Sequence, residues 1–325
     1  MKLLSYKIKE NHAHQIGVLK GNEVYNLNSF FGDINLIDIF KIDNFKDKIQ
    51  SYIGLENSIK HDIKDIIFLP AVPHPNSFRD AYAFREHVET CRKNRGSKMV
   101  SEFEQFPVFY FSNHNSMYAH NEEIELLPDH FKCLDYELEI AIIIGKGGKN
   151  ILSKDADKHI AGFCILNDLS ARTLQMEEMK LNLGPAKGKD FANVLGPYIV
   201  TPEELSDKEI NTQFGKKYNL KMQCYVNGEL LSEGNAKNMH WTFAEIIQRA
   251  SYGVELFAGD IIGSGTVGTG CLLEINGTNK KQDPNYVEKW LKDGDEITMK
   301  VDVLGSISNK ILKSKNNHSI LKLKK

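Results

Sequence analysis

Nowhere do the 325 residues hold the roughly 18 uninterrupted apolar positions that a membrane-spanning helix requires, so no span is expected. An excess of one charge is lacking too. Lysine and arginine number 41 against 43 aspartates and glutamates, for a net charge of −2. A chain this close to neutral has no bulk electrostatic reason to seek nucleic acid or an anionic membrane. The Lys-rich stretch 310–325 has no aromatic platform beside it and reads as a solvated terminus. Cysteine is sparse: Cys91, Cys133, Cys164, Cys224 and Cys271 are odd in number, far apart and free of any CxxC pair. They do not read as a disulfide framework or a zinc site. In company such as Phe163-Cys164-Ile165 they read as small core residues. The opening Met1-Lys2-Leu3-Leu4-Ser5-Tyr6-Lys7 soon turns polar and has no apolar signal core, which makes a reducing cytoplasm the expected location.

What is present is a globular composition, 41% hydrophobic and 26% charged, with ample material for a core. The length suggests one large domain and a smaller one. Residues 2–8, 15–19 and 23–27 alternate as short strands, with Gly21-Asn22 as a hairpin turn, and 34–53 is more helical. Pro70, Pro73 and Pro75 stiffen a connector. The expected division is therefore a small β-rich unit over 1–68 and a large unit over 69–325. In the second, 77–94 reads as a loop running into a helix. Residues 106–111, 137–144, 160–167, 198–200, 220–226, 260–265, 271–275 and 296–303 read as strands, and Asn227-Gly228 as a turn. Residues 243–251 have helical spacing, and a short helix is expected from 155. Strands dominate, so the fold class is mainly β with some α (α+β).

The decisive stretch is Asp135-Tyr136-Glu137-Leu138-Glu139. On a strand, alternate side chains share a face, which sets Glu137 and Glu139 about 7 Å apart on one side. Two ionised carboxylates on a half-buried face repel and lose hydration, and a cation relieves both penalties. A solvent-facing edge would give the same pattern. Asp168, at the mouth of the apolar run 161–167, and Asp80, in a loop beside His87, change the balance. Four carboxylates on apolar elements make a hard-cation site, for Mg²⁺ with Ca²⁺ or Mn²⁺ as alternatives, rather than for zinc. Gly184-Pro185-Ala186-Lys187-Gly188-Lys189 can present an ammonium to a buried anion, or be a solvated turn. It is not a Walker loop. Gly263-Ser264-Gly265-Thr266-Val267-Gly268 fits G-x-G-x-x-G but is expected to open no helix, which argues against a dinucleotide site.

These stretches together resemble the fumarylacetoacetate hydrolase family: Asp80 with His87 seven residues on, Asp135 to Glu139, Asn167-Asp168-Leu169-Ser170-Ala171-Arg172 with Gln175, Gly184 to Lys189, Gly263 to Thr266, and Asp293-Gly294-Asp295. They occur in family order over roughly residues 70–305. The resemblance implies a mixed β-sandwich roll with a small N-terminal domain, acting as a homodimer on a small keto acid. It implies that Asp80, Glu137, Glu139 and Asp168 hold the metal and that His87 is the general base, oriented by Glu274. Lys189 would stabilise oxyanion charge, Thr266 would bind a substrate carboxylate, and Arg172, Gln175 and Arg95 would line the site. The activity implied is metal-dependent C–C bond hydrolysis of a diketo acid. Oxaloacetate decarboxylation and 2-keto acid hydration or isomerisation remain alternatives on the same fold, as does a catalytically silent metal-binding protein. In His87-Val88-Glu89-Thr90 the decarboxylase-like His-x-x-Glu pairing is missing, whereas Glu274 is present, which leans towards hydrolysis. Specificity is expected from 86–106 and from Tyr110, Tyr118 and Tyr198.

Overall fold

Alternation of apolar side chains builds two facing sheets in the computed structural model, which describes residues 1–10 and 12–323. The last two residues of the Lys-rich terminus lie outside that range. The larger sheet has twelve strands. Across it run Lys60–Asp62, Glu23–Asn26, His14–Lys20, Lys2–Ile8, Asn193–Val200, Ile160–Asp168, Leu138–Ile144, Ile261–Gly263, Phe78–Ala81 and Phe109–Ser112. The smaller sheet holds Glu229–Asn235, Lys221–Val226, Glu296–Val301, Gly305–Lys313 and Ile124–Leu126.

The central strand Leu138–Ile144 is buried on both faces. Its Ile140, Ile142 and Ile144 join Phe163, Ile165, Met222, Met299 and Ile307 in the core between the sheets. Its Ala141 and Ile143 face the other way, into a second core with Cys164, Leu166, Leu195, Ile39 and Ile49. The period of two thus assigns every second residue to each core. It carries Glu139 to the second face, together with Asp168 and Asp80, which share the parity of Leu166 and Phe78.

The N-terminal strands are edge-paired with the rest: Lys2 and Leu3 lie opposite Val200 and Ile199, and Leu3, Ile16 and Val18 lie in the same core as Ala141 and Cys164. The sheet therefore runs unbroken from residues 1–68 into the larger part. Both hairpin turns form where expected, with Gly21, Asn227 and Gly228 at positive φ.

Two expected elements differ. Residues 78–81, read as loop, are a strand that pairs in parallel with Ile261–Gly263. Its polar Arg79 and Asp80 are buried, which hides it from any hydrophobic pattern. Residues 271–275, read as strand, begin the helix Leu272–Gln282. The apolar Cys271-Leu272-Leu273 run fits either element, and the capping partner that decides it lies 137 residues upstream of Leu272.

Candidate active site

Three strands of the larger sheet deliver Asp80, Glu139 and Asp168, and Glu137 immediately precedes one of them. Leu138 is registered against Asn167, which sets Glu139 beside the Asp168 end of the neighbouring strand. Ala141 is registered against Gly263, and Gly263 in turn against Asp80. A β-carbon at residue 263 would lie 2.3 Å from Asp80 Oδ1, so only glycine lets that carboxylate in. Gly265 follows at φ +77, and its β-carbon would strike Ala81 O at 2.5 Å. Its amide donates to Asp80 Oδ1 at 3.2 Å and to Glu139 Oε2 at 3.0 Å.

Asp80, Glu137, Glu139 and Asp168 each bring an oxygen within 4.8 Å of the others, all buried. Lys189 Nζ donates to Glu137 Oε2 at 2.5 Å and Asp168 Oδ2 at 2.6 Å. The Tyr110 hydroxyl donates to Asp168 Oδ2 at 2.7 Å. Asp168 Oδ1 is buried with no partner. Burial, reinforced by the Asp168 charge, pushes Asp80 up to about 7. Burial and Asp80 push Glu139 well above the usual carboxylate range. Glu137 is also buried, yet Lys189 and Arg172 hold it low. An orphaned oxygen among crowded carboxylates that would otherwise take up protons is a donor set suited to a hard divalent cation.

Asp135 is the bracket of the site. Its oxygens accept from the amides of Leu272 at 2.7 Å and Leu273 at 3.0 Å, capping the helix that carries Glu274. The same carboxylate takes Arg172 Nε at 2.9 Å, and Arg172 Nη2 reaches Glu137 Oε1 at 2.7 Å. The Gly-rich stretch therefore does open a helix, contrary to expectation, but Asp135 occupies the amides that a pyrophosphate would need. The dinucleotide reading falls for that reason instead.

His87 lies on the helix Arg85–Asn94, its Nδ1 2.6 Å from Glu274 Oε2. Burial favours a neutral ring, but Cys91 and Glu274 outweigh it and carry His87 up to about 10. Burial raises Glu274 as well, with His87 opposing. The two helices are tied by Asn94, which donates to Glu274 O at 3.1 Å.

The cavity above the cluster, about 280 Å³, is lined by Asp80, His87, Glu137, Lys189 and Thr266, and by Arg95, Arg172 and Gln175. Every predicted site residue thus meets there or one layer below, where Glu139 and Asp168 lie and where Glu274 holds His87. Gln175 accepts from Arg172 Nη1 at 2.9 Å, and Thr266 Oγ1 lies 3.5 Å from Glu139 Oε1. Of the tyrosines expected to set specificity, Tyr110 lines the cavity; Tyr118 and Tyr198 are not among its walls. Sequence reasoning missed Asp135 as a site residue, although it begins the same odd-numbered series as Glu137 and Glu139. It also missed Cys91 and Cys271 beside His87, and Tyr82 on the cavity wall.

A sequence model described as fumarylacetoacetate (FAA) hydrolase C-terminal matches residues 76–312. The chain belongs to the fumarylacetoacetate hydrolase family. Within it, the chain is similar to oxaloacetate tautomerase FAHD2A, mitochondrial, of Homo sapiens, 32% identical over 249 residues, 76% of this chain and 70% of that protein. It is 31% identical over 211 residues to oxaloacetate tautomerase YisK of Bacillus subtilis, a match spanning 65% of this chain and 63% of that protein, a little under two thirds of its length. Maleylpyruvate hydrolase from Sphingobium sp. SYK-6, solved with manganese(II) ion and pyruvate, has the same fold at a TM-score of 0.72, with 19% identity over 97% of this chain and 100% of that one. Family and α+β fold therefore agree with the expectation from the motifs. No helix among the described residues is long and apolar enough to cross a membrane.

Proposed function

We propose that this chain is a divalent-metal-dependent hydrolase that cleaves a C–C bond in a diketo acid. The observation that carries the reading is the buried His87–Glu274 pair at 2.6 Å beside four clustered carboxylates. Asp80, Glu137, Glu139 and Asp168 would hold Mg²⁺, Mn²⁺ or Ca²⁺. When bound, such an ion polarises a carbonyl oxygen and offsets negative charge. Glu274 fixes the His87 ring through Nδ1, and Nε2 takes a proton from water once the ring has lost its own, so turnover should rise with pH towards about 10. The resulting hydroxide adds to the substrate carbonyl, the C–C bond breaks, and the departing carbon takes up a proton. The products are a carboxylic acid and a keto acid. Lys189 sets an ammonium against the charge that develops on the departing fragment. Thr266, Arg95, Arg172 and Gln175 position the substrate's carboxylate and tail.

A second reading, keto–enol tautomerisation of oxaloacetate, is favoured by the activity in the names of the relatives at 31% and 32% identity. It would use the same base on a carbon-bound proton and no water. The test is a panel of acetylpyruvate, fumarylacetoacetate and oxaloacetate with Mg²⁺ or Mn²⁺, then with excess EDTA. Hydrolysis predicts one carboxylic acid released per diketo acid consumed, abolished by EDTA and slowed roughly 10²- to 10⁴-fold in His87→Gln. Enol–keto exchange of oxaloacetate without new products would select the second reading. Carbon dioxide from oxaloacetate alone would indicate decarboxylation. Metal binding without any turnover would leave a silent binding protein.

A further inference from the structure

Cys91, Cys271, His87 and Glu274 form a cluster that the proposed hydrolysis uses only in part. One ring nitrogen of His87, Cys271 Sγ and one oxygen of Glu274 lie within 4.8 Å of one another, and all three residues are buried. Cys91 stands one helical turn after His87, and its Sγ is 3.8 Å from Nδ1 and 3.7 Å from Nε2. Cys271 is the residue on which the Glu274 helix starts. Two thiols, an imidazole and a carboxylate therefore converge from two helices held together by Asn94.

We propose that this cluster is a second cation site, for a thiophilic ion such as Zn²⁺, and that filling it silences the His87–Glu274 pair. Zinc takes nitrogen at about 2.0 Å and thiolate sulfur at about 2.3 Å in a tetrahedron. To make that shell the Cys271 sulfur would draw in from within 4.8 Å, while His87 Nδ1 and Glu274 Oε2, now 2.6 Å apart, would separate to admit the ion between them. The ion would take the place of the proton shared between His87 and Glu274, so that binding releases protons from imidazole and thiols. The carboxylate cluster offers oxygen alone and this one offers sulfur and nitrogen, so ligand softness sorts the two ions between adjacent sites. Access runs through the cavity, whose wall includes both Cys91 and His87. The positive end of the Glu274 helix does not repel the ion unopposed, because Asp135 already caps its first amides.

The test uses the full chain saturated with Mg²⁺ and titrated with Co²⁺ while the near-ultraviolet spectrum is read. One equivalent of Co²⁺ should produce thiolate-to-cobalt charge-transfer absorption, a signal that the all-oxygen cluster cannot give. Zn²⁺ should bleach it, and Cys271→Ser should abolish it. Zn²⁺ should also inhibit turnover, with half-inhibition shifted upward about tenfold or more in Cys271→Ser, each protein referred to its own zinc-free rate. If that variant fails to fold, the wild-type chain answers instead: Zn²⁺, but not Mg²⁺, should shield Cys91, which lines the cavity, from iodoacetamide, read by peptide mass. Absence of a charge-transfer band, a band unchanged in the variant, or an unshielded Cys91 would overturn the site. Only the inhibitory consequence rests on the proposed role of His87. A chain that turns over no diketo acid would still show or lack the band, so the two failures are distinguishable.

Discussion

Arg172 can be buried because two carboxylates meet it, Asp135 and Glu137, at 2.7 Å each. Replacing Asp135 with Asn keeps the volume, removes the charge and weakens the cap on the Glu274 helix. We expect a loss of about 3 kcal/mol in urea unfolding, the low end for a broken buried pair, because Glu137 still faces the guanidinium. Turnover should fall with it through the displaced Glu274. Glu139→Gln lies in the same pocket and has a different signature. It relieves repulsion among buried carboxylates, so the protein should stay folded while metal-dependent activity disappears; activity restored by added Mg²⁺ would refute the ligand assignment. His87 adds a pH dependence. Its pKa is raised in the folded chain, from 6.5 to about 10, so the ring contributes stability that is complete below about pH 6.5 and lost as pH rises through about 10. The melting temperature of the wild type, relative to His87→Asn, should therefore be greatest in mild acid and converge with it near pH 10.

At the scale of elements, the legible parts are those whose pattern is local. The strand Leu138–Ile144 and the strand Ile160–Asp168 announce themselves by apolar runs, and the hairpins by Gly21-Asn22 and Asn227-Gly228. The strand that carries Asp80 does not, because half of its four residues are the charged groups it delivers to the interior. The helix that carries Glu274 is specified by a carboxylate distant in sequence, which no window around residue 272 contains. Motif spacing picked out the residues that the fold gathers around the cavity, while the part of Asp135 was not legible, since a residue that fixes other residues shows its role only once they are in place. Gly265 lets one loop amide reach two carboxylates. Gly265→Ala places a side chain at φ +77 against Ala81 O. It should cost at least about 1 kcal/mol, measured by urea unfolding, and should weaken Mn²⁺ binding in parallel.

For the whole molecule, the first 68 residues matter through an edge. Removing them would strip the Asn193–Val200 strand of its Lys2–Ile8 partner and uncover Cys164, Leu195 and Ile199. A bare apolar edge strand is an aggregation site. We expect residues 69–325 alone to be insoluble; a soluble fragment with the full-length melting temperature would show the N-terminal unit to be independent. The acidic centre has a consequence on the same scale. Its carboxylates come from the strands at residues 78–81, 138–144 and 160–168 and from Glu137 just before the second, distant along the chain and brought together by one sheet. A cation that binds all of them has no such partner in the unfolded chain, so it works as a reversible staple across the middle of the fold. At a hundredfold excess over its dissociation constant it adds about 2.7 kcal/mol to unfolding. Metal supply would then govern how long the protein survives in the cell as well as whether it can act.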